Sequence, residues 1–178
     1  YAHNTSKHIF GLPVKVQVKG SDGMLYRQTE ATYDMNYANH LTKVTQTLDN
    51  SGNKAEIDIK YDRYGNITQK TLPANSKGQR MFYKYLYDRD YNMYVERVED
   101  AFGYRSEMED YDYSYGIPLT TRDMNGYTME TTIDHMGRAQ IITAPNEQAM
   151  GVPYTIKFEY YPTVIKNNDG SIKVPAYS

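Results

Sequence analysis

The chain repeats one tetrad, an Asp followed by two variable residues and a Gly, and this pattern constrains its fold more than any other feature. An Asp at the first position can accept hydrogen bonds from backbone N–H groups two residues further on, and the Gly supplies a left-handed conformation. Together they predict a type I turn closed by a Gly bulge, a common connection in β-hairpins. The copies are Asp49–Gly52, Asp62–Gly65, Asp100–Gly103, Asp123–Gly126 and Asp134–Gly137, with a degenerate sixth copy at Tyr113–Gly116.

Between the tetrads, side-chain character alternates with a period of two, which is typical of β-strands. Segment 83–87, for example, places three tyrosines on one face. The tetrads that start at Asp49 and Asp62 are 13 residues apart, and those that start at Asp123 and Asp134 are 11 apart. Each interval leaves room for strands of ordinary length, and their even difference keeps side chains on the correct face.

The predicted fold is therefore all-β, a series of consecutive antiparallel β-hairpins that form a curved, spiralling sheet. We expect residues 1–161 to form this strip, either as one domain or as part of a larger one. No stretch combines a helical period with a cap, so we predict no helix, and residues 146–155 and 162–178 lack a regular pattern. The chain begins at Tyr1 without a signal-like segment, and we expect it to be a piece of a longer protein.

Two segments of the strip repeat each other without a gap. Residues 54–73 align with residues 126–145, a separation of 72 positions. The alignment matches Asp62 to Asp134, Gly65 to Gly137, Thr71 to Thr143 and Pro73 to Pro145. A repeated hairpin is an architecture, so the sequence is more informative about the structure than about any reaction.

Composition narrows the range of partners. Lys and Arg number 20 against 22 Asp and Glu, for a net charge of −2. The sequence contains no run of Lys and Arg, which argues against nucleic acid as the main partner. No apolar run approaches 18 residues, so we expect no insertion into a membrane. The chain has no Cys and no Trp but has 20 Tyr, with only 39% hydrophobic residues. Tyr suits a sheet with one dry and one wet face, so these values predict a thin core.

The residues around three tetrads resemble those of the Rhs repeat, also called the YD repeat. They are Tyr61–Thr68, Asp100–Tyr104 and Asp134–Arg138. The similarity runs over about residues 9–161, and it is strongest to bacterial polymorphic toxins and to the B component of insecticidal toxin complexes. In this sequence Ile133 stands where the family usually has Tyr before the Asp.

The resemblance implies a long antiparallel strip that spirals into a hollow β-shell, with relatives among the animal teneurins. In bacterial members the shell encloses a C-terminal toxic domain until delivery, so the implied location is secreted or at the bacterial cell surface. The implied partners are neighbouring repeats and an enclosed effector domain. Many members end in a DPxG-type motif where an aspartyl autoprotease acts, but this chain has no Asp-Pro pair. Neither cleavage residues nor toxin chemistry can therefore be carried over.

One segment has the spacing of a calcium-binding loop. Asp88, Asp90, Asn92, Glu96 and Glu99 occupy positions 1, 3, 5, 9 and 12 of such a loop. Met93 stands where the loop needs Gly for its sharp turn, and the flanking segments look like strands. The competing interpretation is a long hairpin loop that runs into a solvated strand, and we assign no metal site.

Other candidate groups have simpler structural explanations. His3, His8, His40 and His135 form no metal-binding pattern, and His135 is expected to be solvated in a turn. Alternation places Glu107 and Glu109 on one strand face, which suits a charged edge better than a glycosidase pair. We assign no catalytic or cofactor residue, no cofactor and no enzymatic activity.

The sequence thus predicts a structural, non-catalytic shell segment. Its important residues are turn-formers: Asp62, Gly65, Asp100, Gly103, Asp134 and Gly137. The alternative is a carbohydrate- or protein-binding module that uses an exposed Tyr-rich sheet face, since aromatic rings can stack on sugars. Glycans are accordingly a second class of partner to test.

Overall fold

A computed structural model describes residues 1–49, 51–161 and 163–174. Twelve strands form one antiparallel sheet, in which each strand pairs with its neighbours in sequence. Before it, β1 (Ala2–Asn4) and β2 (Ile9–Leu12) form a separate two-stranded sheet joined by a 3-10 turn at Thr5–Lys7. The prediction of consecutive antiparallel hairpins is confirmed.

The strands of the large sheet are of ordinary length and follow one another along the chain. They are β3 (Lys15–Lys19), β4 (Leu25–Tyr33), β5 (Leu41–Thr47), β6 (Lys54–Tyr61), β7 (Ile67–Ala74), β8 (Arg80–Tyr87), β9 (Val95–Asp100), β10 (Arg105–Asp112), β11 (Ile117–Arg122), β12 (Thr128–Ile133), β13 (Ala139–Thr143) and β14 (Ile156–Lys157). By contacts the chain divides into a first unit, Tyr1–Arg105, and a second unit from Ser106 onward.

Two expectations about irregular segments are wrong. Residues Pro145–Met150 form a short helix, α1, with Pro at its first position and Gly151 as a left-handed C-cap. Pro favours the first position of a helix and Gly favours its C-terminal cap, but six residues are too few for a periodic signal in the sequence. Near the C-terminus, β15 (Ile165–Lys166) and β16 (Ile172–Val174) form a two-stranded hairpin. Residues 162 and 175–178 of the predicted irregular segment lie outside the described residues.

The two faces of the sheet in the first unit differ in character. One face carries the pairs Lys43–Asp58 and Thr45–Glu56, and the other is mainly apolar, with the pair Val44–Ile57 but also Lys70 opposite Ile59. The first is called the charged face here and the second the apolar face. On the apolar face, Val44, Ile57 and Ile59 are half-buried, and Val16 on the edge strand β3 is 56% exposed.

The core is even thinner than the composition predicts. Within the described residues no hydrophobic side chain is fully buried, and the buried side chains are all polar: Asn4, Asn39, Thr45 and Asp88. Asn4 of the N-terminal hairpin donates to the carbonyl oxygen of Met35 at 2.7 Å and to Oδ1 of Asn39 at 2.8 Å. Hydrogen bonds thus attach this hairpin to the loop after β4.

Candidate functional site: the Tyr-Asp rim

The turn at Asp62 has the geometry that the tetrad predicts. The N–H of Asp62 donates to the carbonyl oxygen of Asn66 at 3.0 Å, and Gly65 adopts φ +93°. Oδ1 of Asp62 accepts from the N–H groups of Tyr64 and Asn66 at 2.8 and 2.9 Å. Burial alone would raise the pKa of Asp62, but the hydrogen bonds from Asn66, Tyr64 and Gly65 outweigh it and lower the pKa.

The other intact tetrads form turns of the same kind. Asp100, Asp123 and Asp134 each accept two backbone N–H groups at Oδ1, between 2.8 and 3.0 Å. Asp49 does so as well, at 2.9 and 3.2 Å. The turn geometry predicted for the following six residues is therefore confirmed: Asp62, Gly65, Asp100, Gly103, Asp134 and Gly137.

The structure adds copies that the sequence search missed and corrects one. Asn75 accepts the N–H groups of Lys77 and Gln79 as Asp does elsewhere, and Gly20 and Asn167 begin turns with the same backbone pattern. A search for Asn or Gly before x-x-Gly would have found all three. The degenerate sixth copy begins one residue earlier than predicted, because Asp112, not Tyr113, accepts the turn N–H groups.

Successive turns lie at alternate ends of the strands, so each unit has two rims. We call the rim where β4, β6, β8, β10 and β12 end the Tyr-Asp rim. In the first unit it comprises loops 34–40, 62–66 and 88–94, and in the second unit 112–116 and 134–138. The other is called the opposite rim.

A tyrosine that precedes a rim loop ties that loop to the preceding one. The hydroxyl of Tyr61 donates to the carbonyl oxygen of Leu41 at 2.9 Å, and that of Tyr87 donates to Ile67 at 3.0 Å. Tyr33 reaches the carbonyl oxygen of Pro13 at 3.2 Å in the same way. Each bond spans 20 residues. Burial raises the pKa of Tyr61 and of Tyr87 above the usual value for a tyrosine.

The second unit uses the same arrangement with different residues. Tyr160 donates to the carbonyl oxygen of Ala139 at 2.7 Å. The guanidinium of Arg138 lies 4.0 Å from the centroid of the Tyr160 ring, where a cation–π attraction is favourable. In the first unit His40 takes the equivalent position, with its ring 4.4 Å from that of Tyr61. The residue Ile133, which replaces a motif Tyr, has no hydroxyl to make such a bond.

Neighbouring loops of the rim also contact each other directly. Tyr37 donates to the carbonyl oxygen of Arg63 at 3.2 Å, and the Asn66 amide donates to Asn92 at 2.6 Å. In the second unit the Tyr115 hydroxyl donates to the carbonyl oxygen of His135. Tyr115 also covers Gly137 so closely that a Cβ there would lie 2.5 Å from its ring. The rim is thus a continuous hydrogen-bonded border within each unit.

The calcium-like segment is a hairpin loop organised by Asp88. This side chain is 1% exposed, and its two oxygens accept four backbone N–H groups, from Tyr91, Asn92, Met93 and Tyr94. Burial opposes ionisation, but these bonds outweigh it and lower the pKa of Asp88. Asp90 is exposed, and Glu99 pairs with Lys84 in the sheet. The loop therefore explains Asp88 without a metal ion.

The other candidate residues named from the sequence lie in turns and strands, as follows. His3 accepts the N–H of Gly11 at 3.0 Å, and His135 is exposed, as predicted. Glu107 and Glu109 do share a strand face, opposite Arg122 and Thr120. In the described part of the chain, no three His, Cys, Asp or Glu side chains come together in a way that could hold a metal ion.

The exposed tyrosines lie mainly in turns rather than on the sheet face. Tyr64, Tyr91 and Tyr127 are all more than half exposed and belong to loops, whereas Tyr83 and Tyr85 on the apolar face are half-buried. A ligand that stacks on tyrosine would therefore meet the rims first.

Arg80, on the charged face, supplies a hydrogen bond that Pro73 cannot donate between β6 and β7. The β6–β7 pairing ends at Asp58 and Thr71, and the same register extended by two residues would bring Pro73 opposite Glu56. Pro73 has no N–H to donate. The Arg80 guanidinium instead donates to the Glu56 carbonyl oxygen at 2.8 Å and pairs with Asp58 at 2.5 Å. Sequence reasoning missed this role, because no short motif connects residues 56, 73 and 80.

Comparison with known proteins adds no identification. No protein-family model matches the chain, and a search of curated proteins finds no match. Among the described residues, no helix is long and apolar enough to cross a membrane.

Proposed function

We propose that the chain is a non-catalytic structural segment of a large secreted or surface bacterial protein of the Rhs/YD-repeat type. It forms one section of a β-shell that encloses or carries a C-terminal effector or toxin domain. Its partners are the neighbouring repeats and the enclosed domain, without nucleic acid and without direct insertion into a membrane.

One observation carries the proposal. The described residues include no buried hydrophobic side chain, although one face of the sheet in the first unit carries half-buried aliphatic and tyrosine side chains such as Val44, Ile57 and Tyr83. Apolar surface of this kind is stabilised when another polypeptide or layer covers it. A shell that encloses a polypeptide supplies such a cover, whereas a catalytic site would need converging reactive groups instead.

The hydrogen-bonded rim gives the proposal a mechanical basis. Bonds such as those from Tyr61 to Leu41 and from Tyr87 to Ile67 join rim loops of the first unit to the loop before them. A thin sheet that lacks a buried core gains order from such repeated bonds, each contributing about 1 kcal/mol. The repeat can therefore be extended without a new core, which is what a long strip requires.

The first experiment is to measure the size of the native protein. An antibody against this segment would probe fractions of the source organism, with antibody pre-absorbed on the purified segment as the control. A band many times larger than 20.6 kDa supports a shell section. A band near 20.6 kDa contradicts it and favours the alternative, a carbohydrate- or protein-binding module with exposed tyrosines.

A second experiment tests enclosure in the large protein. Protease is added to the intact protein and to protein denatured beforehand, and C-terminal fragments are followed by mass spectrometry. Protection of the C-terminal domain in the intact sample alone supports enclosure. Equal cleavage in both samples contradicts it.

A further inference from the structure

The longest connection of the large sheet borders a groove in the second unit. Residues 144–155 join β13 to β14, whereas the other connections of this sheet have four to seven residues. This connection includes α1, the one α-helix in the described residues. A structured insertion into an otherwise regular strip is a frequent location for function.

The groove lies between α1 and the turn 123–127 on the opposite rim, with a volume of about 450 Å³. Its lining residues are Thr121, Asp123, Tyr127, Thr128, Met129, Ala144, Pro145 and Asn146. This volume falls within the range of small-molecule sites.

Hydrogen bonds hold both walls of the groove in place. Oδ1 of Asp123 accepts the N–H groups of Asn125 and Tyr127, each at 2.9 Å. On the other side, the Gln148 amide of α1 donates to the carbonyl oxygens of Thr128 and Thr143 at 3.1 and 2.9 Å. A ligand would therefore meet a preformed site and would not have to order it.

The chemistry of the lining selects for positive charge. Among its residues are one carboxylate and one aromatic ring, and none is Lys, Arg or His. Oδ2 of Asp123 accepts only a long contact of 3.4 Å from the Asn125 amide, so it keeps lone pairs for another donor or cation. Tyr127 is 62% exposed, and Met129 adds an apolar surface.

From this geometry we propose that the groove binds a small organic cation of the alkylammonium class. The cation rests on the face of Tyr127, against Met129, with its charge near Asp123. An exposed aromatic face attracts ammonium groups through its quadrupole, and a carboxylate adds a Coulomb attraction. This proposal does not depend on the proposed function as a shell segment.

The test compares choline with its neutral isostere 3,3-dimethyl-1-butanol. Each is titrated into the full 178-residue chain, and binding is followed by NMR chemical shifts. The expected result is saturable binding of choline and at least roughly fivefold weaker binding of the isostere, since only the cation gains the electrostatic attraction.

The variant Asp123→Asn removes the charge and keeps the turn. Asn75 already holds a turn of the same type, accepting the N–H groups of Lys77 and Gln79 at 2.9 and 3.0 Å. Asp100→Asn is the matched control, because Asp100 begins a similar turn and does not line the groove. We expect Asp123→Asn and Tyr127→Leu each to weaken choline binding roughly fivefold, and Asp100→Asn to leave it unchanged.

Three outcomes would overturn the proposal. The first is no binding of choline by the unmodified chain, and the second is equal affinity for choline and its isostere. The third is choline binding that both Asp123→Asn and Tyr127→Leu leave unchanged. The size of the native protein decides the shell proposal separately, so failure of one proposal is distinguishable from failure of the other.

Discussion

The hydroxyl of Tyr61 donates a hydrogen bond to the carbonyl oxygen of Leu41, 20 residues earlier in the chain, at 2.9 Å. Leu41 begins β5 directly after one rim loop, and Tyr61 ends β6 directly before the next. The adjacent Asp62 then organises that next loop. The Tyr and the Asp of the repeated dipeptide thus have separate tasks: one joins consecutive loops, and the other forms a turn.

Removing this hydroxyl should weaken the sheet measurably. We expect Tyr61→Phe to lower the free energy of unfolding by about 1 kcal/mol, because the Leu41 carbonyl loses its side-chain donor. Tyr26→Phe is the control, since Tyr26 is 67% exposed. Urea denaturation followed by circular dichroism measures both. Equal effects of the two substitutions would show that the Tyr61 bond adds no stability.

Two glycines with similar backbone angles should respond differently to alanine. Gly126 has φ +86° and open space around it, whereas a Cβ on Gly137 would lie 2.5 Å from the Tyr115 ring. We expect Gly126→Ala to cost roughly 1 kcal/mol for the left-handed conformation, and Gly137→Ala roughly 3 kcal/mol because the ring must also move. Thermal unfolding of both variants measures the difference. Similar losses would mean that Tyr115 moves aside without cost.

The role of Arg80 can be isolated by a double-mutant cycle. Arg80→Leu should cost roughly 2 kcal/mol, because the Glu56 carbonyl loses a donor and Asp58 loses an ion-pair partner. In a Pro73→Val background the loss should fall to roughly 1 kcal/mol, since residue 73 then has an N–H for the Glu56 carbonyl. Urea denaturation of the four proteins gives the coupling energy. A coupling of zero would contradict this role of Arg80.

Asp88 should matter far more than its neighbour Asp90. Asp88→Ala leaves four backbone N–H groups without their acceptor, and we expect a loss of about 3 kcal/mol. Asp90 is exposed, so Asp90→Ala should change stability by less than about 0.5 kcal/mol. Thermal melts with added calcium and with EDTA test the metal interpretation directly. A calcium-dependent rise in Tm that Asp90→Ala abolishes would restore it.

Acid should destabilise the sheet through its turn aspartates. The backbone N–H and then the guanidinium of Arg138 lower the pKa of Asp134 from 3.8 to about 2. A carboxyl with a lowered pKa contributes its full stability above 3.8 and loses it as pH falls through about 2. We therefore expect Tm to decrease as the pH is lowered from 3.8 to about 2, and to decrease less steeply in Asp134→Asn. Melts at a series of pH values measure this, and identical profiles for the two proteins would contradict it.

Local sequence determined the turns and the strands of this protein. In each tetrad the Asp accepts backbone N–H groups up to four residues further on, and the Gly three positions later adopts the left-handed conformation. The turn at Asp62 therefore follows from the local sequence. The period-two alternation then predicts which side chains share a face, as with the half-buried Tyr83 and Tyr85 and the exposed Lys84 between them. Such effects need no distant partner, which is why they can be read from a single sequence.

Tertiary structure alone decided what joins the hairpins and how each proline is used. Pro73 lies inside β7, while Pro145, its match in the internal repeat, begins α1. The two segments are alike in sequence but differ in their distant contacts. Arg80 donates to the Glu56 carbonyl oxygen, to which Pro73 has no N–H to donate. Gln148 of α1 donates to carbonyl oxygens of β12 and β13. Contacts between residues 20 or more positions apart depend on strand register and on which strands are neighbours. The bonds of the rim and the groove beside α1 therefore appear only once the sheet has formed.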